Sequence, residues 1–161
     1  MKLEFIVEIK EFPDYFISTR GRVFSEKKKD RIELKPVIDT HGYFKVTLRK
    51  EGESRDKKIH KLVCDTFLER VIGKNQVDHI NRNKYDNRLE NLHWVNEREN
   101  NINRGIYKNN TSGVKGVYWD KYQNKWGGTI SIENNKRKQK HFKTKQEAID
   151  WRLAMEKKYY R

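Results

Sequence analysis

At 161 residues the chain has room for one domain or for two or three very small ones. Hydrophobic residues make up 34% and charged ones 37%, too polar for one large core, yet four Trp, eight Tyr and seven Phe argue against disorder. Lys and Arg outnumber Asp and Glu by 37 to 23, a net +14 that attracts polyanions, and a single cysteine excludes an intramolecular disulfide or a cysteine-based zinc knuckle.

The N-terminus, MKLEFIVEIKEF, carries acids where a signal peptide needs an uninterrupted apolar run, and no stretch approaches membrane-spanning length. A soluble intracellular protein without membrane contact is expected. LEFIVEI alternates as a strand, and EFPDYFIS, TRGR and VFS follow as a Pro turn, a strand, a Gly turn and a further strand. KKKDR reads as a solvated loop. IELKPVID and YFKVTLRK then form a hairpin across a turn at 39–42, where His41 beside Gly42 is a turn residue.

In this first third Ile9, Phe12, Tyr15, Ile17, Ser18, Gly21, Val23 and Ser25 stand at fixed intervals. The pattern resembles the nuclease-associated modular domain found at the N-terminus of many phage homing endonucleases. It departs from that family at Ile6, where a Trp is usual, and at Glu11, where a Gly is usual.

IHKLVCDTFLE, residues 59–69, places Ile59, Leu62, Val63, Thr66 and Phe67 at helical spacing. Cys64 is expected in the core, and His60 at the helix surface or along the edge of the buried face, without a catalytic role. Next comes VDHINRNKYDNRLENLHWVNEREN, residues 77–100. A tight Asn- and Arg-rich loop would return a strand around Leu92 to Val95 antiparallel to the approach through Val77. A short helix from Asn96 would then point Asn100 back at Asp78. Phosphodiester hydrolysis needs an activated water and charge neutralisation on phosphate; a carboxylate and an amide oxygen suit a hard divalent cation, and an imidazole suits the base. Asp78, His79, Asn91 and Asn100 supply these groups. Taken singly, each is an ordinary turn, loop or polar residue; taken together in register, they read as a site.

The stretch from His60 to Asn103 resembles the HNH, or ββα-metal, nucleases. The resemblance runs through H-K-L-V-x-x-x-F, V-D-H-I-N-x-N-x-x-D-N, L-x-N-L-x-W-V and the final Asn. It implies that Asp78 and Asn100 hold one Mg²⁺ or Mn²⁺, that His79 activates water, and that Asn91 orients His79 and pins the loop to its backbone. Asn87, His93 and Asn101 fall outside that set, Asn87 as a loop former and His93 as a variable strand residue.

Residues 1–100 carry 22 basic and 18 acidic side chains, whereas residues 101–161 carry 15 and 5, so the positive field is concentrated in the last third. NINRGIYKNNTS lacks periodicity and reads as a linker. GVKGVYW, WGGTISIE and KRKQKHF form a three-stranded antiparallel meander with turns at DKYQNK and NNK. Thr144 and Glu147 form a capping box that opens a helix to about Tyr159, with Ala148, Trp151, Met155 and Tyr159 as its apolar stripe. Lys136, Lys138 and Lys140 are expected on the face of the sheet away from that helix. Gly113 to Val117, Trp126, Phe142 and T-x-x-E-A resemble the Apetala/ethylene-response-factor DNA-binding domain. That resemblance implies DNA contacts at Lys115, Tyr118, Thr129, Ser131, Lys136 and Lys138, with lysines gripping phosphate more than reading bases.

The expected architecture is therefore α+β. It comprises a β-rich module (1–55), a ββα-metal nuclease module (56–103), a linker (104–112) and a three-stranded antiparallel sheet packed on one helix (113–161). The expected activity is metal-dependent endonucleolytic hydrolysis of double-stranded DNA by a monomer that nicks, without structural zinc. Such a protein belongs in the cytoplasm of a bacterial host, encoded by a phage or mobile element. A non-catalytic DNA-binding regulator or a packaging protein is the alternative.

Overall fold

Short alternating runs punctuated by Gly, Pro and Asx turns fold as short antiparallel strands, and that is how most of this chain is built. The computed structural model describes residues 3–106, 109–132 and 136–160. They fall into two units, Met1–Asn103 and Arg104–Arg161. The class is α+β, and no helix among the described residues is long and apolar enough to cross a membrane.

In the first unit β1 (Ile6–Glu8), β2 (Tyr15–Ser18), β3 (Val23–Ser25) and β4 (Ile32–Glu33) form an antiparallel sheet in that order. A second sheet joins β5 (Val37–Ile38), β6 (Phe44–Lys50) and β7 (Glu53–Lys58). The turn expected at 39–42 is there: Asp39 Oδ1 accepts from the backbone N–H groups of His41 and Tyr43, and Gly42 takes a φ of +78°. Sequence patterning misses β7, because ESRDKK has no apolar face. It is an edge strand whose backbone pairs with β6 from Lys45↔Lys58 to Lys50↔Glu53, and its charges belong on an edge.

β7 runs directly into α1 (Ile59–Phe67), so the expected helix appears two residues shorter. β8 (Gln76–His79) pairs with β9 (Leu92–Val95) after a single 3-10 turn at Leu89–Asn91, and α2 (Glu97–Asn103) follows. Asn96 and Glu99 cap α2 reciprocally, each side chain accepting from the other's backbone N–H. One core serves all of this. Phe12, Tyr15, Ile17 and Val23 from the first sheet meet Val46 and Leu48 of β6, Leu62, Val63 and Cys64 of α1, and Leu92 and Trp94 of β9. Ile17, Leu48 and Val63 retain no exposed surface, and each such burial contributes about 1.5–3 kcal/mol. The boundary expected between residues 55 and 56 thus falls inside β7, within continuous packing. Cys64 is buried as expected, and burial pushes its thiol up to about 12, so it is an inert core residue.

In the second unit β10 (Val117–Asp120), β11 (Lys125–Ser131) and β12 (Arg137–Phe142) form the meander, with α3 (Lys145–Tyr159) against it. The capping box of Thr144 and Glu147 is complete. Residues 113–116, expected as strand, instead turn through Gly113 and Gly116, both at positive φ. The expected linker also folds at its end: buried Ser112 Oγ hydrogen-bonds the carbonyls of Val114 and Val117. The turn expected at NNK involves Asn134 and Asn135, and the linker Tyr107 and Lys108; these four lie outside the described residues.

The lysine row needs correction. Gly128, Ile130 and their cross-strand partners Lys140 and Lys138 share the face that carries α3. A Cβ on Gly128 would lie 2.7 Å from the Trp151 ring, and Lys138 Nζ donates to the Tyr159 hydroxyl. The cause is period-two alternation: Phe142 packs on Trp151, and Lys140 and Lys138 have its parity. Lys136 lies just before the strand, and Lys115 donates to the Arg104 carbonyl. The open face instead presents Tyr118, Thr129, Ser131, Arg137, Gln139 and His141. Tyr118 lies over Gly127, and Arg137 Nε donates to Thr129 Oγ1. A further surprise is Arg152, 98% buried beside Gly116 and paired to Glu156 at 2.8 Å.

Candidate active site

The site is built on the β8–β9 hairpin and the helix that follows it. Antiparallel register puts Asp78 opposite His93 and His79 opposite Leu92, so the two reactive groups alternate across the ribbon. Asp78 turns towards α2. There Asn103 Nδ2 donates to Asp78 Oδ2 at 2.6 Å and to the His79 carbonyl at 3.0 Å. Arg82, held at a φ of +62° by the turn after His79, donates in turn to Asn103 Oδ1. His93 Nε2 lies 3.5 Å from the same Asp78 oxygen.

Asn100 was expected on Asp78. Its amide instead donates to Gln76 Oε1, two residues earlier on β8. The reason is helical rise: Asn100 and Asn103 share a face, and the later residue stands opposite Asp78. Among the described residues no three His, Cys, Asp or Glu side chains gather as a metal cluster. The donor set is therefore one carboxylate with amide side chains on the facing helix. That chemistry fits a hard cation that keeps water and phosphate in its remaining positions.

His79 is 4% exposed. Its Nε2 meets Asn87 Oδ1 at 3.2 Å, and its ring packs on the rings of His60 and Tyr43 at centroid distances of 5.2 and 6.0 Å. Burial holds its pKa below the ordinary histidine value, with the Asn87 hydrogen bond and Asp78 opposing that shift, so the imidazole is neutral and able to accept a proton near pH 7. Lys58 and Lys84 sit over the Tyr43 ring, at 4.7 and 4.4 Å from its centroid, and bring positive charge to this wall.

Asn91 also needs correction. Rather than touching His79 it closes the loop: Oδ1 accepts from Asn81 N, and Nδ2 donates to the Asp86 carbonyl and to Asn81 Oδ1. The Asn91 carbonyl accepts from Ile80 N. Asp86 is gripped by Arg88 through two 2.7 Å hydrogen bonds, which lower its pKa to about 2. The expected pinning of the loop is thus present, while the contact to His79 belongs to Asn87, a residue 5% exposed and not the simple loop former expected.

His60 is likewise not at the helix surface. It is buried, its Nδ1 without a hydrogen-bond partner, and burial above all drops its pKa to about 3. A signal existed, because His60, Cys64 and Phe67 form a second stripe at i, i+4 and i+7 that widens the buried face. For Asn103 the signal was its spacing from Asn100, and for His93 the hairpin register. Nothing in the spacing pointed to Asn87 or Tyr43. A groove of about 900 Å³ opens beside the hairpin, lined among others by Tyr43, His60, Lys61, Gln76 and Asn100; Asp78 and His79 are not in its lining.

Comparison with known families decides what this geometry belongs to. Residues 57–102 match the HNH endonuclease model, and residues 7–49 match the NUMOD4 motif. Residues 57–102 are an HNH-family segment. The NUMOD4 segment ends within β6, so the HNH segment begins inside β7, the next strand of the same sheet. Similar sequences occur in viral proteins. An uncharacterized HNH endonuclease, L245 of Acanthamoeba polyphaga mimivirus, is 34% identical over 107 residues, covering 66% of this chain and 32% of its own length. The H-N-H endonuclease F-TflII of Escherichia phage T5 is 31% identical over 115 residues, covering 70% of this chain and 58% of its own. The chain spans about a third of the first of these relatives and under two thirds of the second. A solved structure of the HNH homing endonuclease I-HmuI, which describes DNA binding and cleavage by that enzyme, matches with a TM-score of 0.56 at 25% identity. The match covers 91% of this chain and 82% of that one.

Proposed function

We propose that the chain is a metal-dependent DNA endonuclease of the homing type. The carrying observation is the HNH segment's own geometry, in which Asp78 faces the amides of α2 while the adjacent His79 is buried with its Nε2 on Asn87. His79 accepts the proton of the attacking water, and Asp78 with the α2 amides Asn100 and Asn103 holds a single Mg²⁺ or Mn²⁺. When bound, that ion supplies charge neutralisation on the phosphate and on the leaving oxygen. Asn91 keeps the loop closed. The products carry 5′-phosphate and 3′-hydroxyl ends. With one such site per chain, a monomer nicks double-stranded DNA.

The second unit supplies grip. It carries 15 basic against 5 acidic side chains, and its open sheet face presents Tyr118, Thr129, Ser131 and Arg137, an arrangement that suits an Apetala/ethylene-response-factor-like contact with a DNA groove. An intracellular, phage- or mobile-element-encoded enzyme fits the phage T5 relative.

The test is supercoiled plasmid and phage DNA incubated with Mg²⁺ or Mn²⁺. The wild type is expected to convert supercoiled to open-circular DNA, EDTA to stop it, and His79→Ala to slow it by at least ~100-fold. DNA left intact throughout would sink the nuclease reading and favour a DNA-binding regulator or packaging protein. Equal rates for wild type and His79→Ala would sink the assignment of the base.

A further inference from the structure

Asn87 is the buried side chain that touches the His79 ring through a hydrogen bond, and its own orientation is set from two sides. Its Nδ2 donates to the Tyr85 carbonyl at 3.4 Å. A carbonyl only accepts, so the amide nitrogen lies on that side and Oδ1 faces His79 Nε2 at 3.2 Å. Oδ1 also only accepts, and the pair therefore requires the proton on Nε2, leaving the lone pair on Nδ1.

What holds Asn87 there comes from the N-terminal segment. The turn after β2 presses Gly21 against it: a Cβ on Gly21 would stand 2.8 Å from both the Asn87 Cβ and the Asn87 carbonyl oxygen. Gly21 has a φ of +77°, which glycine alone adopts without strain. Gly21 N is tied back to the Ser18 carbonyl, and Leu89 N donates to the Thr19 carbonyl at 2.8 Å, so the segment hydrogen-bonds the loop two residues beyond Asn87. Ser18 is itself fully buried and accepts from the backbone N–H groups of Arg20 and Arg22, which fixes the shape of the turn.

We propose that Asn87 is the positioning residue that holds His79 in its Nε2–H tautomer, and that the Ser18–Gly21 turn of the N-terminal segment seats Asn87 for that task. The functional consequence rests on the nuclease reading, in which Nδ1 is then the atom that accepts the water proton. The N-terminal segment is accordingly a working part of the hydrolytic site.

The experiment uses the full chain labelled with ¹⁵N-histidine, the His79 signals being identified by their loss in His79→Ala. In the wild type the ring correlations are expected to show Nε2 protonated and Nδ1 bare. Asn87→Ala is expected to give a mixture of tautomers and Gly21→Ala a smaller change in the same direction. Asn87→Asp, whose carboxylate oxygen still accepts, is expected to keep the wild-type tautomer. In plasmid nicking, Asn87→Ala is expected to lower kcat by at least ~10-fold while KM for DNA stays within about twofold, a split that misplacement of one reacting group produces. An Nδ1–H tautomer in the wild type overturns the proposal by itself, even if no variant folds. So does an unchanged tautomer in Asn87→Ala. Nicking by the same wild-type sample is read separately: bare Nδ1 without any nicking refutes the nuclease reading and leaves the Asn87 role standing.

Discussion

His60 and His79 share one wall and answer to opposite demands. His79 Nε2 has a hydrogen-bond partner in Asn87 Oδ1, whereas His60 Nδ1 has none, and burial drops the His60 pKa to about 3. An unfolded histidine titrates near 6.5. Between those values the unfolded chain binds the extra proton, so folding stability present above pH ~6.5 is lost as the pH falls towards 3. The His60 share of the slope is at most about 1.4 kcal/mol per pH unit. Urea denaturation at pH 7 and pH 5 should show a shallower pH dependence for His60→Phe than for the wild type; identical slopes would refute this account of His60. At the same scale, Asn103→Ala is expected to raise the Mn²⁺ concentration needed for nicking several-fold, because it removes the amide on Asp78. An unaltered metal titration would leave Asp78 with Asn100 as the ion's holders.

Among the elements, α3 and the sheet beneath it carry the clearest packing predictions. Thr144→Ala removes a complete capping box and should cost ~1 kcal/mol, read as a lower Tm of the second unit. Gly128→Ala drives a methyl into the Trp151 ring and should cost about 1–3 kcal/mol with an altered tryptophan emission; unchanged emission would contradict the close approach. These elements were legible in the sequence, because a capping box and an apolar stripe are local signals. The hairpin turn at 39–42, α1, β8 and β9 were legible for the same reason. β7 was not, since an edge strand of charged residues has no hydrophobic period and exists only through β6. The face of Lys138 follows from the parity of Phe142, four residues away, and not from its charge. Asn87 and Tyr43 reach His79 through tertiary packing alone, which no spacing encodes.

For the whole molecule, charge is unevenly shared between the two units, with residues 101–161 holding most of the +14 excess. Phosphate contacts release counterions, so affinity for DNA should fall steeply with salt. Removing residues 104–161 is expected to flatten the plot of log affinity against log salt, while the HNH segment's metal dependence persists. An unchanged slope would place the DNA grip in the first unit instead.

One strand has a further consequence. β7 begins before the HNH segment and ends at the residue before α1, and the core beneath it takes side chains from both family segments. A recombination joint placed between the two family segments would therefore cut a β-ladder and split a core, rather than exchange a cassette. Successful chimaeras with relatives should inherit residues 3–103 as one heritable block, and joints near residue 104, where the two units meet in sequence, should be the ones that survive.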